Sequence, residues 1–236
     1  MGNGFRDVAI APADTLRRYP ETLSYAEAAT FVSSLATAYY ALVQRAQLQA
    51  GETVLVLGAG GAVGCASIQL AKIFGARVIA SASTAAKRDL AMKMGADAAV
   101  DARSPTWRDD VKAANGGKPV DVVVDPVGGD ASEPAFRSLA WKGRHLVIGF
   151  AGGSIPKLPL NLPLLKGASL LGVDLRQFGL YEPETSEANI AALFELHRQR
   201  GLKPYIGHRF TLEQFADALH LAASGQAVGR IVVTMD

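Results

Sequence analysis

The chain has 236 residues, 49% of them hydrophobic and 19% charged, which is enough to bury a sizeable core and too apolar for a disordered tail. Its 24 Lys+Arg against 22 Asp+Glu leave a net charge of +2, and the basic residues come singly or in pairs. That pattern excludes a phosphate-tracking stripe, and with it nucleic acid as a partner. A single cysteine, Cys65, excludes an intrachain disulfide, and His145, His197, His208 and His220 are too scattered for a four-ligand zinc site, so a reducing, cytoplasmic setting is expected.

The opening Met1-Gly2-Asn3-Gly4-Phe5-Arg6 has no apolar signal core, and Arg6 stands where an acylation motif needs Ser or Thr, so no targeting segment is expected. Residues 8–10 read as a strand too short for a sheet of its own. Ser24-Tyr25-Ala26-Glu27 has capping-box spacing and opens an alanine-rich helix running to about residue 47. From Thr53 the pattern alternates: strands over 54–57, 78–80, 98–100, 120–124, 145–148 and 169–173, with helices over 63–74, 85–94, 107–114 and 134–141. Such alternation implies an α/β protein with a doubly wound, six-stranded parallel sheet covered on both faces. Residues 53–71 are apolar enough to mimic a membrane span, but Gly58, Gly60, Gly61 and Gly64 interrupt them, so no membrane crossing is expected. Beyond Asp174 the rhythm changes to a polar connection, a helix near 187–199, a strand near 208–210, a helix opened by Thr211-Leu212-Glu213-Gln214, and a last strand over 231–234.

The run Val54-Leu55-Val56-Leu57 leads directly into Gly58-Ala59-Gly60-Gly61-Ala62-Val63-Gly64 and then a helix, the context a dinucleotide fingerprint requires. Glycines let the backbone turn tightly and approach a pyrophosphate, while the helix N-terminus offers free N–H groups and a positive dipole end. The spacing departs from G-x-G-x-x-G, because the third glycine falls one residue late, at Gly64. At the end of the second strand, roughly 20 residues on, an acid would hold the ribose hydroxyls of NAD. This chain has Ser81-Ala82-Ser83-Thr84-Ala85-Ala86-Lys87-Arg88 there, hydroxyls followed by two cations, which suits the 2′-phosphate of NADPH. Thr84 also fits a helix cap, and Lys87 and Arg88 a solvated first turn, a reading that suits Lys87 less because a cation there opposes the helix dipole.

These motifs continue through Asp121-Val122-Val123-Val124-Asp125-Pro126-Val127-Gly128-Gly129, Gly143-Arg144, Ile148-Gly149-Phe150-Ala151-Gly152-Gly153, Ile155-Pro156, Asn161-Leu162, Leu164-Leu165-Lys166 and Gly229-Arg230-Ile231-Val232-Val233. Together they resemble the zinc-independent quinone oxidoreductases, the NADPH:quinone reductase and zeta-crystallin group of the medium-chain dehydrogenase/reductase superfamily. The resemblance implies a Rossmann NADPH-binding domain over 33–175, the end of a GroES-like substrate domain over 1–32, and a segment over 176–236 that returns to that domain. It also implies that the longer N-terminal part of the substrate domain is lacking, leaving the substrate pocket incomplete. Gly61, Ala62 and Val63 would cradle the pyrophosphate, and Ser83 and Lys87 would meet the 2′-phosphate. Val127, Gly149, Phe150 and Ala151 would line the adenosine and nicotinamide side, with Thr37 near the nicotinamide amide. Where related zinc-dependent alcohol dehydrogenases place a cysteine ligand, this chain has Ser33, which disfavours catalytic zinc. Where some members carry a tyrosine near the phosphate, it has Val100-Asp101-Ala102-Arg103, so either Arg103 takes that place or the phosphate is held less firmly.

The implied reaction is zinc-independent hydride transfer from NADPH to a quinone or conjugated enone, with an enoyl-thioester reductase and a non-catalytic NADPH-binding protein as alternatives. No catalytic residue is assigned. Tyr39 and Tyr40 are the nearest candidate proton donors, although packing is the commoner role on such a helix. His145 reads as a core histidine and Cys65 as a buried packer. The edge strand through Leu170-Leu171-Gly172-Val173-Asp174 resembles the one through which family members form homodimers.

Overall fold

The computed structural model describes Phe5 and residues 8–235; the rest of the opening segment, where no targeting signal is expected, lies outside the described residues. Residues 8–10 form no strand, and only a single 3₁₀ turn, Ala13–Thr15, precedes the first helix. Helix α1 (Tyr25–Tyr39) starts as its capping box dictates: Ser24 Oγ accepts the Glu27 amide at 3.3 Å, and the Glu27 carboxylate accepts the Ser24 amide at 2.8 Å. It widens into a π-helical turn over Tyr40–Arg45, where the Ala46 amide reaches back to Ala41 O at 2.8 Å. Gln47 then ends it at φ +50°.

The strands are β1 (Thr53–Leu57), β2 (Arg77–Ala82), β3 (Ala98–Asp101), β4 (Val120–Asp125), β5 (Leu139–Val147) and β6 (Ser169–Gly172), in the order β3-β2-β1-β4-β5-β6 and all parallel. Helices α2 (Ala62–Ile73), α3 (Ala85–Lys93), α4 (Trp107–Ala114), α5 (Ser132–Arg137) and α6 (Asn161–Lys166) join them. All five residues of β1 are buried, as a central parallel strand covered on both faces requires. Its side chains alternate between two cores. Val54 and Val56 pack with Leu35, Ile68 and Leu70 under α1 and α2, while Leu55 and Leu57 pack with Val111, Phe136 and Leu162 under α4, α5 and α6. Each fully buried Leu or Phe contributes about 1.5–3 kcal/mol through burial.

The chain continues through α7 (Leu175–Tyr181), α8 (Pro183–Arg200), β7 (Ile206–Thr211), α9 (Phe215–Ala223) and β8 (Arg230–Thr234). Strands β7 and β8 pair in parallel as a separate two-stranded sheet. Helix α8 returns to the first core: Phe194 and His197 pack against Phe31 at ring-centroid distances of 5.2 and 5.9 Å. The 32/33 boundary therefore falls inside α1, and the 175/176 boundary inside α7. No described helix is long and apolar enough to cross a membrane.

One expected helix is cut short. The stretch 134–141 divides into the end of α5 and the start of β5, because Leu139 is drawn into register with Val120. The chain then bulges before Arg144 pairs with Val122, with Lys142 at φ +61° and Trp141 lying over Gly167. Helix α7 falls within the polar connection expected beyond Asp174, and α6 lies where the sequence pattern assigns no helix.

Candidate functional site

All six parallel strands end on one side, and the glycine turn between β1 and α2 sits at that end. Gly58 turns at φ +57°, and the Gly61 amide donates to Gly58 O at 2.9 Å. The late glycine has a packing reason. A Cβ at Gly64 would lie 2.4 Å from Gly58 O and 2.7 Å from Ala59 Cα, so a side chain there would push α2 off the turn. A Cβ at Gly60 would lie 2.5 Å from Lys87 Cβ, which is how closely the turn approaches α3. No side chain caps α2, and its first amides and dipole end face the strand ends.

A cavity of about 610 Å³ opens there. Gly61, Ala62 and Val63 line it from the turn, Ser83 and Lys87 from the end of β2 and the first turn of α3, Val127 from the loop after β4, and Gly149, Phe150 and Ala151 from the loop after β5. Thr37 lies next door, in a cleft of about 1210 Å³ that shares Val63, Ile148 and Phe150 with the first cavity and is also lined by Ser33 and Tyr40. Thr37 Oγ1 donates to Ser33 O at 2.8 Å.

The smaller cavity carries positive charge without a carboxylate among its described lining residues. Lys87 Nζ donates to Gly225 O at 2.6 Å, and burial, helped by the nearby Arg103 cation, lowers its pKa below the usual lysine value. Thr84 Oγ1 caps α3 by accepting the Lys87 amide at 3.3 Å. Arg88 is engaged elsewhere, with Ala82 O at 3.2 Å and the Asp101 carboxylate at 3.0 Å.

Asp125, to which the sequence motif alone assigns no role, ties the loop after β4 to β5. Asp125 closes β4 at 2% exposure; one carboxylate oxygen accepts the amides of Val127 and Gly128 at 2.9 and 2.8 Å. The other accepts Ser132 Oγ at 2.6 Å and meets His145 Nε2 at 3.0 Å. Burial alone would raise its pKa, but these bonds outweigh burial and hold it below the usual carboxylate value. Its signal in the sequence is an acid ending an apolar strand and followed by Pro126. His145 is buried in the core, stacked near Phe136 at 5.9 Å. Tyr40 is also a packing residue, stacked on Phe178 at 4.0 Å, and Tyr39 meets Phe74 edge-on at 5.9 Å with its phenol pKa raised by burial. Cys65 is 2% exposed and burial pushes its thiol up to about 12, so it is inert. Among the described residues no group of three or more His, Cys, Asp or Glu could hold a metal ion.

A parallel sheet in this strand order, with a glycine turn opening α2 at its C-terminal end, is a nucleotide-binding α/β fold of the Rossmann type. Residues 62–194 match the zinc-binding dehydrogenase family, and the chain belongs to that family, within the medium-chain dehydrogenase/reductase superfamily. It is 37% identical to quinone oxidoreductase-like protein 2 of Rattus norvegicus, over 96% of this chain and 65% of that protein. A solved NAD-dependent alcohol dehydrogenase superposes with a TM-score of 0.88 at 30% identity, covering 99% of this chain and 65% of its own. A mycobacterial protein solved in complex with NADPH gives a TM-score of 0.86 at 28% identity, over 94% and 70%. The chain spans about two thirds of the length of the curated relatives it matches.

Proposed function

We propose that the chain binds NADPH across the 610 Å³ cavity and the neighbouring cleft, as part of a zinc-independent reductase of quinones or conjugated enones. The carrying observation is that Lys87 and the uncapped start of α2 face one cavity whose described lining has no carboxylate. A 2′-phosphate fits that donor set, since an acid at the end of β2 would repel it and Lys87 would otherwise keep an unneutralised charge in a partly buried site. The quinone oxidoreductase-like relative and the NADPH-complexed neighbour support the same reading.

When bound, the cofactor supplies a hydride from its nicotinamide. The chain's own residues bind and orient. Gly61, Ala62 and Val63 bring backbone amides to the pyrophosphate, with Gly64 keeping α2 close enough to aim them. Ser83 and Lys87 hold the 2′-phosphate. Asp125 fixes the Val127 and Gly128 amides, and thereby the wall on the adenosine side, while Gly149, Phe150 and Ala151 form the wall that leads to Thr37. Phe150 and Tyr40 exclude water from the nicotinamide end by their apolar area. No side chain need transfer a proton in the rate-setting step, because a reduced quinone is a stabilised anion.

Steady-state consumption of NADPH with a small quinone, run beside an enoyl thioester, tests the reading. Quinone-dependent consumption supports it. Consumption with the thioester alone contradicts the acceptor class, and NADPH binding without turnover on either contradicts catalysis by this chain.

A further inference from the structure

A second concentration of charge lies on the sheet face covered by α4, α5 and α6, at the strand starts rather than the strand ends. A cavity of about 310 Å³ opens beside Pro119 and Ser138, the residues that precede β4 and β5. Its wall carries five cations, Arg108 and Lys112 of α4, Lys118 of the following loop, Arg137 of α5 and Lys166 of α6, against one carboxylate, Asp109. It shares no lining residue with the cavity at the glycine turn.

These charges are poorly neutralised from within. Arg137 is held by Glu133 at 2.7 Å, whereas Arg108, Lys112 and Lys118 make no ion pair among the described residues. Arg108 and Lys112 stand four apart on one helix, a like-charge spacing that destabilises α4. Lys166 is not free to swing away: its Nζ donates to Leu139 O at 2.6 Å, which fixes the ammonium at the wall. Burial, then Arg108 and Arg137, lower its pKa, so the three cations from three elements act on one space. A chain with a net charge of only +2 thus gathers five cations around one recess.

We propose that this recess is an anion site for a small ligand of the phosphate class, separate from the nucleotide cavity. The unpaired guanidinium fork of Arg108 matches phosphate oxygens, and the three ammonium groups, with Arg137 held beside them by Glu133, add positive charge around it. The small volume favours a compact phosphate or diphosphate group over an extended polyanion, which would need a charged track.

Inorganic pyrophosphate at constant ionic strength is the probe, followed through backbone amide resonances of the whole chain. The expected result is saturable shifts at Lys112, Lys118 and Leu139, with affinity reduced about tenfold or more in R108Q/K166M. Should that double variant not fold, K112Q/K118Q, both exposed at the rim, is expected to show the same loss. Shifts confined to Ala62 and Val63 would place the ion at the glycine turn and overturn the proposal. So would shifts that never saturate, or an affinity that the folded variants leave unchanged.

Discussion

Lys87 carries more of the functional reading than any other side chain. It is partly buried, anchored to Gly225 O, and pressed by the glycine turn at Gly60. Replacing it by alanine should weaken NADPH binding by about 1.5–3 kcal/mol, or about 10- to 150-fold, and leave NADH nearly untouched, because only the 2′-phosphate uses the charge. Calorimetry of the variant with both nucleotides checks this, and equal losses would contradict the assignment. Since burial and Arg103 lower the Lys87 pKa, NADPH affinity should also fall on the alkaline side earlier than an ordinary lysine would dictate, a trend that Lys87→Arg should abolish. Asp125 has the opposite sign. Its folded pKa is depressed, so its contribution to stability is present above the unfolded value and is lost as pH falls through the folded one, below about pH 4. Asp125→Ala leaves Ser132, His145 and two loop amides without their acceptor and should cost about 3 kcal/mol in urea unfolding at neutral pH. Asp125→Asn should flatten the acid limb of the stability profile.

At the scale of elements, the approach of α2 to β1 is set by the missing side chain at Gly64. Gly64→Val should destabilise the fold by about 1–3 kcal/mol and abolish nucleotide binding together, because relief of the 2.4 Å clash lifts the first turn of α2 away from the cavity. Thermal unfolding and nucleotide titration of the same variant test the coupling; lost stability with intact binding would contradict it. The parallel strands could be read from the sequence because they are apolar on both faces and bounded by glycines, and α1 because Ser24 and Glu27 form a complete capping box. Other elements were not readable for identifiable reasons. Helix α6 is only six residues long and contains Pro163, so no period can emerge from it. The first half of β5 carries the exposed Trp141 and a residue of positive φ at Lys142, and only its pairing with β4 makes it a strand. The walls of the cavity at the glycine turn lie in motifs that the family resemblance picks out, but the tie from Asp125 to His145 joins adjacent strands and has no local spacing to reveal it. The cation recess is hidden for the same reason, since its five charges come from four separate segments.

For the whole molecule, β6 leaves one edge of the sheet without a strand partner among the described residues, and Leu170 on it is half exposed. Trp141, Leu164 and Leu165, nearby in the chain order of β5 and α6, are exposed as well. We propose that two copies pair through this edge, which would cover unpaired backbone groups and apolar area at once. Leu170→Lys should then yield a monomeric mass by light scattering where the parent chain gives a dimer; a monomeric parent at micromolar concentration would contradict the pairing. The two sheets also divide the labour of the fold. The six-stranded sheet supplies the glycine turn and the cavity walls, while Gly229, which leads into β8, donates its amide to Gly60 O at 2.8 Å and braces the turn from outside. The segment after Asp174 is thereby built into the cavity at the glycine turn, with Gly225 lining it beside Lys87.

An NADPH site assembled from the glycine turn and Lys87 can be checked by calorimetric titration of the purified chain with NADPH and, in parallel, NADH. Saturable binding of NADPH is expected, with NADH weaker by the factor that Lys87→Ala removes, about 10- to 150-fold. Binding of NADH as tight as that of NADPH, or binding of neither, would contradict it.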